Sequence, residues 1–434
     1  MHRLGIFRML GVNLNSSSIA TYDHLTQTIH LKRAEEPDLV RLAEAVNSPG
    51  WDAGLVLVEG AYNVLAPLAH ETRHWLDMNC SIRGLRTLKA IFDLQANPVA
   101  GTPPIRALKQ DITLNHFIER YEHRDLTARY PWQVDFRLSV PRIHEQIEHI
   151  SLCFYGAQDR DRSSILFKSP IYLGSLLETC AVYQEQRDVL PLFLREGLPH
   201  GARSEAEAKA LGFLKDPTAP EYHAITHAVS IAARQPEAVH GIALAAGLCT
   251  LLLNMPAQML KESCRHIEDG LGSRSYGKGL VSAADQMRRM AGVCPEAAII
   301  HTAVGELARR SAAGASPYST DLIFDLLPFW RKSQEEFFER SHADFVTQIS
   351  LIKGPGYFHD AAPALIQNNQ WLMEQKSLAL TLGGLPNRPP IIFGDGFVLK
   401  GADAFEGLVP NFENADNSAA EALMNIQKLC PEGT

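Results

Sequence analysis

A chain of 434 residues with 46% hydrophobic and 21% charged side chains has an ordinary globular composition and is long enough for two domains. Its formal net charge of −8 argues against a general nucleic-acid or membrane-surface binder. Seven cysteines, an odd number with no Cys-x-x-Cys pair, argue against a disulfide framework or a cysteine zinc site and fit reduced thiols.

At the start of the chain, Arg8 interrupts the candidate apolar segment and no cleavage site follows, so no signal peptide is expected. Ile19–Asp23 and Thr26–Leu31, separated by a polar turn, read as a β-hairpin. Glu35–Val46 reads as an amphipathic helix, with Leu39, Leu42, Ala43 and Val46 on one face and Pro37 in its first turn. Ser48-Pro49-Gly50 breaks it, and the apolar run Gly54–Val58 reads as a buried strand.

The next segment, Leu65–Asp77, contains His70-Glu71-Thr72-Arg73-His74, a His-Glu-x-x-His motif. On a helix, residues four apart share a face, so the two imidazoles can point at one metal ion. Glu71 lies about 100° around from His70, within reach of a water on that ion without being a ligand. Two nitrogen ligands, a general base and open coordination positions make up the zinc-hydrolase arrangement. Pro67 suits a first helical turn, and Leu65, Leu68, Thr72 and Leu76 form the packing stripe away from the histidines. His144-Glu145-Gln146-Ile147-Glu148-His149 is one residue too long, which rotates its second histidine by about 140°, and is set aside.

Helices are expected over Ile82–Leu94 and Ile105–Tyr121, and strands over Trp132–Val140 and Ile150–Tyr155. Gln158–Ser164 reads as a solvated loop. A second informative helix is expected to begin at Ser169-Pro170 and run to about Leu192. It carries Glu178, which could reach the two histidines as a third ligand. As the fourth residue of Ser175-x-x-Glu178, it could equally close a capping box. Ala181 is small enough to let the two helices approach closely.

His70-Glu71-x-x-His74 together with the later Leu177-Glu178-x-x-Ala181 resembles the gluzincin superfamily of zinc metallopeptidases. The likeness rests on two short motifs within roughly residues 18–192. It implies that His70, His74 and Glu178 bind zinc and that Glu71 is the general base. Many members carry an acidic residue four positions after the ligand Glu, orienting a histidine; that position is Val182 here. Asp77, one turn beyond His74, is the candidate to hold an imidazole from behind.

From Pro199 onward the chain reads as mainly helical, near 203–213, 219–233, 240–254, 256–268, 279–291, 295–312, 319–348 and 360–378. Gly241–Met255, about 15 residues, is too short to span a bilayer and is expected to be a buried helix. His223 and His227 are four apart, but no acid-base Glu follows His223, so they are expected on a partly buried helix surface. Gly383–Pro390 reads as a loop and Gly394-Asp395-Gly396 as a turn.

The expectation is a helix-rich α+β protein, with a zincin-like metallopeptidase domain at 1–198 and a mainly helical domain at 199–434 that gates the cleft or recognises a partner. The expected function is cytoplasmic, zinc-dependent hydrolysis of a protein or peptide substrate, with no nucleic acid or membrane involved and any regulatory protein partner unidentified. The alternative is a non-catalytic helical binding or scaffold protein with a structural or vestigial zinc site. Tyr172, Tyr183 and His149 are available as oxyanion donors, without a choice among them.

Overall fold

The hairpin forms as expected, with β1 (Ala20–Tyr22) antiparallel to β2 (Ile29–Leu31) and Tyr22 opposite Ile29. The computed structural model describes residues 19–47, 51–96, 130–139, 149–193, 201–235, 241–273, 279–314, 322–325, 333–352 and 357–408, except 25, 160, 202–203, 206–207, 210–211, 213 and 218. The helix expected over 105–121 lies outside them.

After α1 (Glu36–Asn47) the structure departs from expectation. Gly54–Val58 is not a strand but part of α2 (Trp51–Gly60), which passes through a π turn at Ala61–Leu65 into α3 (Ala66–Cys80), the helix that carries His70 and His74. A short apolar run cannot distinguish a buried strand from a buried helix by periodicity alone, and here length decides for helix. The π turn has a local cause. Ala66 N–H reaches back to Ala61 O, and Pro67 has no N–H to offer the next bond. The wide turn therefore sits where the α ladder would break in any case. At Gly60 a Cβ would meet Leu42 Cδ1 of α1 at 2.9 Å, so α1 and the end of α2 approach closely there.

Helix α4 (Ile82–Ala96) follows, then a three-stranded antiparallel sheet of β3 (Trp132–Ser139), β4 (His149–Gly156) and β5 (Ile165–Pro170), in that order. Ser169-Pro170 closes β5 rather than opening a helix. The helix that follows, α5, spans Leu173–Phe193. It packs along α3, with Cys180 and Ala181 fully buried.

The rest of the described chain is α6 (Ala224–Ala232), α7 (Ile242–Leu253), α8 (Ala257–Ser273), α9 (Gly279–Val293), α10 (Pro295–Ala312), the short α11 (Leu322–Asp325), α12 (Gln334–Ser350) and α13 (Tyr357–Glu374). Helix α7 is the buried apolar helix expected from its composition. No single helix among the described residues is long and apolar enough to cross a membrane.

The C-terminal part also contributes β6 (Ile391–Phe393) and β7 (Val398–Leu399), joined by the expected turn at Gly394–Gly396. Strand β6 pairs parallel to β2, giving a four-stranded sheet in the order β1-β2-β6-β7. This sheet crosses the boundary expected at 198. The same core holds Trp75 of α3 and Phe405, whose rings meet edge to face at 5.3 Å. The architecture is thus helix-rich α+β, with the four-stranded sheet packed on α3 and the three-stranded sheet packed against α6 and α9.

Candidate metal centre

Helix α3 places His70 and His74 one turn apart on one face, as the spacing requires. Their Nε2 atoms are 2.8 Å apart. Glu178 Oε2, from α5, lies 3.2 Å from His70 Nε2 and 3.4 Å from His74 Nε2. These three residues could hold a metal ion. Nitrogen and oxygen ligands held at zinc distances in a tetrahedron lie about 3.3–3.5 Å from one another. The two carboxylate separations match that spacing, and the imidazole pair is tighter. Glu178 Oε2 is buried, and its polar neighbours are the two imidazole Nε2 atoms.

The capping-box alternative for Glu178 does not occur. Ser175 Oγ accepts from Tyr172 N–H at 3.0 Å, and the Glu178 carboxylate faces the two imidazoles instead. With β5 ending at Pro170, the helix starts early enough for position 178 to lie in its second turn.

The group behind His70 is Glu185, which the sequence reading missed. Its Oε1 lies 2.5 Å from His70 Nδ1. Seven residues separate Glu178 from Glu185, two helical turns, so both carboxylates project from one face of α5. The position four after Glu178, Val182, packs instead into a small apolar cluster with Leu214 and Ile242. A carboxylate on Nδ1 keeps the proton there and presents the Nε2 lone pair to an ion.

Asp77, expected behind an imidazole, binds elsewhere. Its Oδ2 accepts from Arg73 Nε at 2.8 Å, and both side chains are buried on the core side of α3. Arg73 Nη2 donates to Thr250 Oγ1 of α7 at 2.8 Å. Arg73 is the nearest cation one turn back on its own face, and it takes the carboxylate.

Glu71 stands outside the ligand triad. Its Oε2 accepts the backbone N–H of Tyr22 in β1 at 2.6 Å. Burial pushes its carboxyl upward, and the neighbouring imidazoles offset this only in part. For His70 burial works downward, but Glu185 and Glu178 outweigh it and hold the imidazole well above its ordinary value. Burial would raise Glu178, yet His74 and His70 bring it down to about 2. Without a metal the two carboxylates favour the protonated form of His70, and an incoming ion has to displace that proton.

The short 3₁₀ turn Pro220–Tyr222 lies beside the triad, with the Tyr222 ring 6.1 Å from that of His70. Glu178 is the main reason its phenol is held well above the usual range. Burial pushes Glu221 up to about 7, with Glu178 and Asp216 adding to it. Tyr172 shares this neighbourhood, raised by burial and by Glu221 and Glu178. Tyr183 instead accepts from Arg187 Nη1 at 3.1 Å, and His149 is buried at the start of β4. Nothing in the local sequence around Tyr222 marks it, because a turn 44 residues after Glu178 meets the site only through tertiary packing.

His223 and His227 are not on a partly buried surface; both are buried against Trp132. Their Nε2 atoms lie 2.7 Å from Asp216 O and 2.6 Å from Leu214 O, which commits both rings to backbone carbonyls. Burial pulls His223 down to about 4 and His227 to about 3. Both are therefore neutral in the fold while their unfolded counterparts protonate near 6.5. Stability is expected to be unaffected by this pair above pH 6.5. Below it, stability should fall by on the order of 1 kcal/mol per pH unit for each ring as the unfolded chain takes up protons. Thermal unfolding measured from pH 7 to 4 should show this slope, and His227→Gln should flatten it. An identical slope in that variant would contradict the assignment.

The Glu185 contact also predicts a measurable effect. Glu185→Gln should weaken metal binding by about 10–100-fold, read by competition with a chromogenic chelator at pH 7. Unchanged affinity would show that the contact does not tune the ligand.

Comparison with protein-family models, curated proteins and solved structures found no match to the chain.

Proposed function

We propose that the chain is a zinc-dependent metallopeptidase of the gluzincin type. The observation that supports this most strongly is the convergence of His70, His74 and Glu178 from two packed helices, with Glu71 left out of the donor set beside them. Two imidazoles and one carboxylate are a donor set suited to zinc with a coordination position open to substrate. Bound there, zinc would supply Lewis-acid polarisation of the scissile carbonyl and activate a water.

The chain's own residues would do the rest. Glu185 keeps the proton on His70 Nδ1, so that Nε2 serves as ligand. Glu71 takes the proton of the attacking water and passes it to the leaving amine nitrogen. Burial raises the Glu71 carboxyl, which brings a carboxylate base closer to the pKa such a shuttle needs.

The test is hydrolysis of a quenched-fluorescent peptide library by chelator-stripped and zinc-restored protein. Cleavage only after zinc is restored is expected. Equal cleavage without metal, or none by the zinc-loaded protein across the library, would overturn the proposal.

A further inference from the structure

Strand β1 is clamped to the metal helix at two points, and both involve Tyr22. At one end its backbone N–H binds Glu71 Oε2 at 2.6 Å. At the other its phenol oxygen accepts from Asn79 Nδ2 at 2.9 Å. Eight residues of α3 separate the two anchor points, about 12 Å of helix rise, and one tyrosine spans them.

The first clamp is available because of strand geometry. The ladder to β2 is made on either side of Tyr22, by Lys32 N–H to Ile19 O and Asp23 N–H to Thr28 O. In an antiparallel pair alternate residues turn their backbone groups outward, so the Tyr22 N–H points away from β2, towards α3.

The second clamp belongs to a buried polar network. Asn79 Nδ2 also donates to Gln27 Oε1 at 2.7 Å, and the Tyr22 hydroxyl donates to the same oxygen at 2.6 Å. Gln27 Nε2 in turn donates to His24 O at 2.6 Å. Gln27 sits at φ +59, a left-handed conformation costly for a residue with a side chain. These side-chain bonds offset that cost and fix the β1–β2 turn. Tyr357, from α13, donates its hydroxyl to Asn79 Oδ1 at 2.7 Å.

We propose that Asn79, Gln27 and Tyr357 are positioning residues for Glu71, acting through strand β1. The proposal rests on the reading of Glu71 as the general base. With Oε2 tied to Tyr22, the carboxylate cannot rotate freely, and its second oxygen is held in one direction for proton transfer. Such a base loses efficiency when its support shifts by a fraction of an ångström. The inference gives part of the C-terminal half a role in the chemistry: α13 braces the strand that aims the base.

The experiment uses the full-length, zinc-loaded protein with Asn79→Ala and Tyr357→Phe. The second variant keeps the ring stacked on Phe92 and removes one hydrogen bond, so it preserves a measurable protein if Asn79→Ala fails to fold. Hydrogen exchange at the Tyr22 amide should accelerate by up to about tenfold in Tyr357→Phe, with zinc content unchanged. On a peptide that the wild type cleaves, kcat should fall by about tenfold with KM preserved. Unchanged Tyr22 exchange in every folded variant would overturn the clamp, and faster exchange with unchanged kcat would overturn its catalytic role. If the zinc-loaded wild type cleaves no peptide, the base reading fails and the positioning role fails with it. The exchange measurement, which needs no substrate, separates that case from failure of the clamp.

Discussion

Glu71→Gln is expected to retain zinc and lose peptide hydrolysis by about 10²–10⁴-fold, the contribution of a well-placed general acid–base group. The substitution is nearly isosteric, and the amide oxygen can still accept the Tyr22 N–H that the carboxylate accepts now. It removes only the ability to take a proton. Because Glu71 is not in the ligand triad, metal content should not change. Activity within a few-fold of wild type, with zinc bound, would exclude Glu71 as the base.

Asp77→Ala should destabilise the fold by about 3–5 kcal/mol, the penalty for leaving a buried charge without its partner. Arg73 is completely buried, its Nε bonded to Asp77 and its Nη2 to Thr250. Removing the carboxylate strands that guanidinium between α3 and α7. The double variant Arg73→Met, Asp77→Leu should recover most of the loss, because apolar residues of similar volume often replace a buried ion pair at little cost. Denaturant unfolding of both proteins tests this. A single variant as stable as wild type would show that water reaches the pair, and a double variant no better than the single would show that shape rather than charge governs the site.

The shared face of His70 and His74 was legible because it depends on local spacing: residues four apart on a helix share a face whatever the tertiary fold. Glu178 was legible only as one of two alternatives; the start of α5 removes the capping box and leaves the carboxylate facing the imidazoles. Glu185 lies two turns after Glu178, beyond the one-turn position that the motif specifies, where Val182 packs with Leu214 and Ile242 instead. Asp77 was assigned by geometry along one face, but Arg73 on that same helix outcompetes the imidazoles for its charge.

Among the elements, the hairpin, α1, α4, β3, β4 and α10 follow from local pattern and breaker residues. The Gly54–Val58 run is a helix rather than the expected strand: an apolar run of five residues has no period that separates the two, and one of its members, Val56, faces solvent. Strand β6 was absent from the reading altogether. It has three residues, and its partner β2 lies more than three hundred positions earlier, so only tertiary pairing makes it a strand. The same long-range pairing ties both halves of the chain into one sheet, which composition shifts along a sequence cannot reveal.

His70, His74 and Glu178 are expected to bind one zinc ion, which metal content by mass spectrometry of the purified wild type beside Glu178→Ala measures. About one zinc per chain in the wild type, clearly reduced in the variant, is the predicted result. No metal in the wild type after zinc is added back, or full zinc retention in Glu178→Ala, would contradict it.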